Sequence, residues 1–136
     1  REAVLEALKG FDLEIQLSPG TSGVVATLEG SQPGPTLLLR GDMDALPITE
    51  ATGFDFAATN GSMHACGHDV HTTIGVGVAS ALAARRDELH GRVRFVFQPA
   101  EEGGRGPTTS RTITGHQWQD ESQQHAEACG AEQRKG

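Results

Sequence analysis

Apolar residues are concentrated in the first three quarters of the chain, and this limits where a folded core can form. Residues 107–136 contain one Ile, one Trp and no Leu, Val, Phe or Met. Such a polar segment cannot bury enough apolar surface to offset the conformational entropy that is lost on folding. We therefore expect one folded domain within residues 1–106 and a disordered tail over residues 107–136.

The order of apolar patterns in the first 106 residues indicates an α/β fold with a mixed sheet and flanking helices. The predicted elements are, in order, a helix over EAVLEALK, strands over FDLEIQL, VVATLEG and TLLLRGD, a loop over residues 46–62, a helix over TTIGVGVASALAARRDELH and a strand over VRFVFQ. FDLEIQL alternates apolar and polar residues, which predicts a half-buried strand. The continuous apolar run TLLL favours a strand buried on both faces, and Gly91 is expected to end the long helix.

The charge balance and the cysteine count exclude several classes of protein. Lys and Arg number 11 against 18 Asp and Glu, a net charge of −7, which does not suit a nucleic-acid surface. Two cysteines cannot form a disulfide framework. No run is long enough to span a membrane and no secretory signal is visible, so we expect a cytoplasmic protein without a membrane partner. Because Arg1 and not Met opens the chain, we also expect an incomplete N-terminus.

Three polar patches follow predicted strands or precede the long helix. They are RGDMD at residues 40–44, HACGHDVH at residues 64–71 and QPAEE at residues 98–102. In α/β sheets, functional side chains gather on the connections beyond the strand ends. We therefore expect the three patches to meet at one edge of the sheet.

The residue types in these patches suit a metal centre. Cys66, His68 and Glu102 offer a thiolate, an imidazole and a carboxylate, which are zinc ligands, and Mn²⁺ or Co²⁺ also accept such donors. Gly67 permits the backbone conformation that two donors spaced as Cys-x-His need in order to converge. In the pair Glu101 and Glu102, one carboxylate can bind metal while the other takes the proton of the attacking water.

Other interpretations of the same residues stay open at this point. A Glu-Glu pair is usually a solvated surface, and Asp42 and Asp44 could be turn formers. Asp69 could cap the following helix. Cys66 could also be a nucleophile activated by a neighbouring histidine, either His64 or His68.

The stretches RGDMDALPI, MHACGHDVHT and VFQPAEEGG, in this order, resemble the motifs of the aminoacylase/carboxypeptidase metallopeptidase family. They are most similar to its amidohydrolase branch, which contains hippurate hydrolases, N-acyl-L-amino-acid amidohydrolases and auxin-conjugate hydrolases. The similarity extends from about Gly20 to Gly104. It implies part of a dinuclear-metal, aminopeptidase-like catalytic domain.

The resemblance also implies roles for individual residues. Cys66 matches a thiolate that bridges two metals, His68 and Glu102 match metal ligands, and Glu101 matches the general base. Asp42 matches an aspartate that supports the ligands from behind. The implied cofactors are two divalent ions, Zn, Mn or Co, per complete site, and the implied reaction is hydrolysis of the amide bond of a small N-acyl amino acid such as hippurate. The resemblance assigns no role to His64, Asp69 or His71 in the second motif.

The resemblance ends after Gly104. Residues 1–106 resemble a partial catalytic metallohydrolase domain cut at both ends, and residues 107–136 resemble a non-family tail of the kind that a frameshift produces. Full-length relatives are expected to be homo-oligomers. We expect the isolated chain to be inactive, and the alternative to an enzyme is a truncated fragment that binds metal weakly or not at all.

Overall fold

A computed structural model of the chain describes residues 1–102. In this range the elements follow in the order α1 (Glu2–Leu8), β1 (Glu14–Leu17), β2 (Val24–Glu29), β3 (Gln32–Asp42), α2 (His68–Ala83) and β4 (His90–Gln98), with a short 3-10 helix over Arg86–Glu88 before β4. The predicted α/β class is confirmed. The tail predicted for residues 107–136 lies outside the described residues and stays a prediction.

The four strands form one mixed sheet in the order β1-β2-β4-β3. β2 pairs antiparallel with β1 and β4, whereas β3 and β4 are parallel and are connected through α2. In the parallel pair Asp42 lies opposite Gln98, and the backbone N–H of Met43 donates to the Gln98 carbonyl oxygen at 2.8 Å. The two strands therefore end at the same edge, and the residues that follow them leave the sheet side by side.

The core lies between one face of the sheet and the two helices. Alternate residues of β2 and β4 point into it and meet apolar residues of the helices; its buried members are Val4, Leu8, Val24, Ala26, Leu28, Ala79, Val93, Phe95 and Phe97. Alternation places every second residue of a strand on one face, so the central strands provide most of this core. Neither described helix has both the length and the apolar character needed to cross a membrane.

The outer strands are less buried than their sequences indicate. β1 begins only at Glu14, and its apolar residue Leu17 is 50 % exposed. The prediction that the TLLL run is buried on both faces is wrong, because β3 forms an edge of the described sheet and Leu37 is 55 % exposed. An edge strand has a neighbour on one side only, and an apolar run does not reveal that position.

The long helix is shifted toward the N-terminus relative to its prediction. It begins at His68 and ends at Ala83, although the sequence indicated a helix that continues to His90. Gly91 does not end this helix, because it lies within β4. Its φ is +84°, and a Cβ there would clash with the backbone carbonyl oxygen of Pro35 in β3. Gly91 therefore permits the close approach of two strand backbones, a role that the sequence alone did not indicate.

Candidate metal centre

The ends of β3 and β4 place two acidic segments next to each other. Asp44 follows β3, and Glu101 and Glu102 follow β4. The backbone N–H of Glu102 donates a hydrogen bond of 3.0 Å to Oδ2 of Asp44. One carboxylate thus links the two segments that leave this edge of the sheet.

The start of α2 brings the second motif to the same edge. Gly67 adopts a left-handed conformation, with φ 101° and ψ 18°, immediately before the helix. This conformation is costly for residues with a Cβ, so glycine permits the sharp turn between Cys66 and His68. The suggestion that Asp69 caps the helix is wrong, because Gly67 is the N-cap residue and Asp69 lies within the first turn. A carboxylate there still interacts favourably with the helix dipole.

The His68 imidazole is buried and has a defined orientation. His68 is 3 % exposed, and its Nδ1 lies 3.1 Å from the backbone carbonyl oxygen of Asp44 and 3.1 Å from Oδ1 of the same residue. The carbonyl contact satisfies hydrogen-bond geometry, whereas Oδ1 has only the ion-pair contact and is otherwise buried without a hydrogen bond. Because a proton on Nδ1 would satisfy the Asp44 carbonyl oxygen, Nε2 keeps a lone pair for a metal ion.

Three predicted ligands lie within reach of one ion. Single donor atoms of Cys66, His68 and Glu102 lie within 4.8 Å of one another. Glu101 extends its Oε2 to 3.8 Å from Nε2 of His68. A thiolate, an imidazole and a carboxylate at these separations fit the donor preferences of Zn²⁺, and of Mn²⁺ or Co²⁺ where oxygen donors are added. The residues present thus suit the divalent ions that the sequence implied.

The charges at the site shift two pKa values in opposite directions. For the Asp44 carboxyl, burial acts to raise the pKa, but backbone N–H donors of Glu102, Asp44 itself and Glu101 outweigh burial, so its pKa is lower than usual. For the Cys66 thiol, a hydrogen bond to the Glu102 carboxylate and the charge of that carboxylate raise the pKa. Without a cation, the protein therefore keeps Asp44 ionised and disfavours the Cys66 thiolate.

The raised thiol pKa argues against the cysteine-nucleophile interpretation. Catalytic cysteines have a lowered pKa, usually because a positive charge or a helix N-terminus lies next to the sulfur. Cys66 lies directly before the N-cap of α2, but the hydrogen bond to Glu102, the charge of that carboxylate, burial, and the charges of Glu101 and Asp44 together raise its pKa. A divalent ion would reverse this electrostatic balance, because a thiol that binds metal is deprotonated.

Asp42 and His71 form a second polar group beside the first. Asp42 is 8 % exposed and accepts a hydrogen bond from Nε of Arg40 at 2.8 Å, and its Oδ2 lies 3.6 Å from Nδ1 of His71. Donor atoms of Asp42, His68 and His71 also lie within 4.8 Å of one another. His64 is exposed at the start of the second motif. The structure thus places Asp42 beside the His68 imidazole, in a group that shares this imidazole with the first donor set.

Asp44 is the residue whose importance the sequence did not reveal. It contacts both the ring of His68 and the backbone of Glu102, whereas the resemblance singled out Asp42 as the supporting aspartate. Met43 alone separates the two aspartates. Asp42 is the last residue of β3, and Asp44 lies two residues beyond it. The register between β3 and β4 and the position at which α2 begins determine which of the two aspartates contacts His68 and Glu102. Neither feature is visible as a local sequence pattern.

Comparisons with known proteins show which family and which solved structures this chain is similar to. The family model for "Peptidase family M20/M25/M40" matches residues 38–133. A Bacillus subtilis structure described as a dinuclear metal binding peptidase from the M20 family is similar with a TM-score of 0.74 and 44 % identity, over 79 % of this chain and 31 % of that one. Its description agrees with the predicted two-ion cofactor.

Two relatives show the extent of the sequence match. An indole-3-acetyl-aspartic acid hydrolase of Enterobacter agglomerans is 54 % identical over 95 residues, 64 % of this chain and 22 % of that protein. An N-acetyl-L-cysteine deacetylase of Bacillus subtilis (strain 168) is 44 % identical over 106 residues, 77 % of this chain and 26 % of that protein. The chain therefore spans about a quarter of the length of these curated relatives. Because the family model matches well over half of its residues, the chain belongs to peptidase family M20/M25/M40.

Proposed function

We propose that this chain carries the metal-binding and proton-transferring segment of an amidohydrolase that cleaves the amide bond of N-acyl amino acids. The observation that carries this proposal is the convergence of Cys66, His68 and Glu102, with Glu101 beside them. Relatives are named for acyl conjugates of amino acids, including indole-3-acetyl-aspartic acid and p-aminobenzoyl-glutamate. A small N-acyl amino acid is the substrate class that fits both facts, and hippurate is one member of it.

Cys66, His68 and Glu102 would hold the ion in this proposal. When bound, a divalent ion would polarise the substrate carbonyl and stabilise negative charge on its oxygen. The set of Cys66, His68 and Glu102 provides three donors, fewer than two ions need. We propose that the remaining ligands come from outside residues 1–102, and that Asp42 and Asp44 support the ligands from behind.

Glu101 would move the proton. Its exposed carboxylate lies 3.8 Å from Nε2 of His68, so it faces the same space as the ligand atoms. The carboxylate takes a proton from a water molecule while the water oxygen bonds to the carbonyl carbon. The C–N bond then breaks, and Glu101 returns the proton to the leaving nitrogen, which gives a free carboxylic acid and a free amino acid.

The assay that tests this proposal uses a full-length protein containing this segment and a series of N-acetyl and N-benzoyl amino acids. We expect hydrolysis that a chelator abolishes and that Zn²⁺, Mn²⁺ or Co²⁺ restores. The isolated 136-residue chain should show little hydrolysis, since its described residues hold an incomplete ligand set. Activity that survives chelation but not thiol alkylation would favour cysteine chemistry instead. Metal binding with no hydrolysis in the full-length protein would favour a non-catalytic role.

Residues 1–106 are, in the same proposal, a partial catalytic domain. The family match runs from residue 38 to residue 133, so it includes most of the segment for which the sequence predicts a non-family tail. A cytoplasmic location and homo-oligomerisation of the full-length protein stay predictions. Gel filtration of that protein and fractionation of its host cells would test them.

A further inference from the structure

A chain of contacts connects the end of β3 with an exposed imidazole at the rim of the metal centre. Asp42 is 8 % exposed, and its Oδ1 accepts from Nε of Arg40 at 2.8 Å. Its backbone carbonyl oxygen accepts from the Thr72 hydroxyl at 3.0 Å. Its second carboxylate oxygen faces Nδ1 of His71 at 3.6 Å, a contact longer than a hydrogen bond. A fixed, buried carboxylate thus lies next to a ring that is 54 % exposed.

His71 lies outside the donor set of Cys66, His68 and Glu102. Donor atoms of Asp42, His68 and His71 are close enough for an ion, but this group shares His68 with the first donor set. His68 has its Nδ1 on Asp44, so only the Nε2 lone pair is free, and one lone pair binds one ion. The first set contains a thiolate and a carboxylate in addition to that imidazole. His71 is therefore available for another task.

The position of Asp42 determines which His71 nitrogen is free. A carboxylate next to Nδ1 favours the tautomer with the proton on that nitrogen. Nε2 of the neutral ring is then an acceptor. The rings of His71 and His68 lie 5.5 Å apart between centroids, so the exposed His71 ring lies beside the imidazole of the first donor set.

We propose that His71 contacts the substrate and accepts a hydrogen bond from the N–H of the scissile amide, and that Asp42 is the positioning residue that orients the ring. This inference rests on the proposed function, because an N-acyl amino acid carries one N–H donor at the bond that is cleaved. It assigns to His71 a specificity for amides over esters, since an ester has no hydrogen on the corresponding atom.

The test compares two probes that differ only at this atom: N-acetyl-L-alanine and O-acetyl-L-lactate. Each is titrated into the Zn²⁺-loaded 136-residue chain, labelled with ¹⁵N at histidine, and followed by NMR. We expect His71→Ala to weaken binding of the amide by about three- to tenfold, as the loss of one neutral hydrogen bond implies, and to leave the ester unchanged. His71→Gln keeps an acceptor and should restore part of the loss. Thr73→Ala, which changes an exposed residue on the same helix, is the matched control.

The ring itself provides a second measurement. Long-range ¹H–¹⁵N spectra should show the His71 proton on Nδ1 in the wild type and a mixture of tautomers in Asp42→Asn. A proton on Nε2 in the wild type would overturn the inference. An equal loss of affinity for the amide and for the ester in His71→Ala would also overturn it. If the wild-type chain binds neither probe and a full-length protein hydrolyses no N-acyl amino acid, both the proposed function and the role of His71 are refuted. Hydrolysis with an unchanged amide preference in His71→Ala would refute the role of His71 alone.

Discussion

The two halves of the candidate metal centre differ in how firmly the protein holds them. In one half, His68 is buried and its Nδ1 contacts the carbonyl and carboxylate oxygens of Asp44. In the other half, Cys66, Glu101 and Glu102 are all exposed. The backbone of Glu102 is fixed by Asp44, but its carboxylate and the Cys66 thiol interact mainly with each other. In the proposed centre, the protein therefore orients one predicted ligand before an ion arrives and leaves the other predicted ligands on its surface.

This difference follows from the charges involved. An imidazole can be buried at low cost when its N–H has an acceptor, as Nδ1 of His68 has in the carbonyl oxygen of Asp44, whereas a thiolate and two carboxylates repel one another and keep their hydration. A divalent cation offsets that repulsion. We therefore expect His68 to keep its orientation with or without metal, and Cys66 and Glu102 to become ordered when metal binds.

The largest expected effect separates the two adjacent glutamates within the exposed half. In a full-length protein, Glu101→Gln should lower kcat by about 10²- to 10⁴-fold, because the amide keeps the shape of the side chain but cannot accept the proton of the attacking water. Metal content, measured by atomic absorption, should stay unchanged. Glu102→Gln is the matched substitution and should release metal. Loss of metal in Glu101→Gln, with turnover per bound ion preserved, would show that the two roles are reversed.

The next effect concerns the buried half. Asp44→Asn should weaken metal binding by about 10- to 100-fold, the usual consequence of removing a carboxylate that orients a ligating histidine. Competition with a chromophoric chelator measures the dissociation constant in the isolated chain. Asp69→Asn, a change in the first turn of α2, provides the control. Equal affinities of the wild type and Asp44→Asn would mean that burial alone orients His68.

The sequence predicts the buried half less well than the exposed half. The types and spacing of Cys66, His68 and the glutamate pair suit a metal centre, because thiolate, imidazole and carboxylate are characteristic metal donors, and the family resemblance favours that interpretation over the others. The role of Asp44 is not predictable in the same way. It depends on β3 and β4 ending together and on α2 beginning at His68, and these are tertiary facts.

The same contrast holds for the fold. Strands β2 and β4 and the α/β class are predictable because alternation and β-branched residues are local signals. The exposure of Leu37 is not predictable from the sequence, because an apolar run looks the same whether its strand lies inside a sheet or at its edge, where β3 lies in the described sheet. Gly91 resembles a helix stop in the sequence because its actual neighbour, Pro35, is distant along the chain.

A third prediction concerns the thiol of the exposed half in the metal-free chain. The Glu102 carboxylate raises the pKa of Cys66 through a hydrogen bond and through its charge, so Glu102→Gln should lower this pKa and increase the thiolate fraction at neutral pH. Alkylation by iodoacetamide, followed across pH by mass spectrometry, reports that fraction. Glu101→Gln should have a smaller effect, because Glu101 acts on Cys66 by charge alone. An unchanged pH profile in Glu102→Gln would contradict the proposed contact.

The smallest expected effect lies in the acid stability of the buried half. Backbone N–H donors hold the pKa of Asp44 below its ordinary value, despite burial, so the ionised carboxylate stabilises the folded state. For a group with a lowered folded-state pKa, this contribution is fully present above the ordinary pKa of about 3.9 and is lost as pH falls through the folded-state pKa. Urea unfolding of the metal-free chain between pH 7 and pH 3 should therefore show a decline toward acid that is shallower in Asp44→Asn. Because the substitution also changes the baseline stability, the slope and not the absolute free energy of unfolding is the relevant quantity. Parallel curves would show that His68 and Glu102 are held in place without help from the charge of Asp44, and the distinction between a firmly oriented half and a loosely held half would then depend on burial alone.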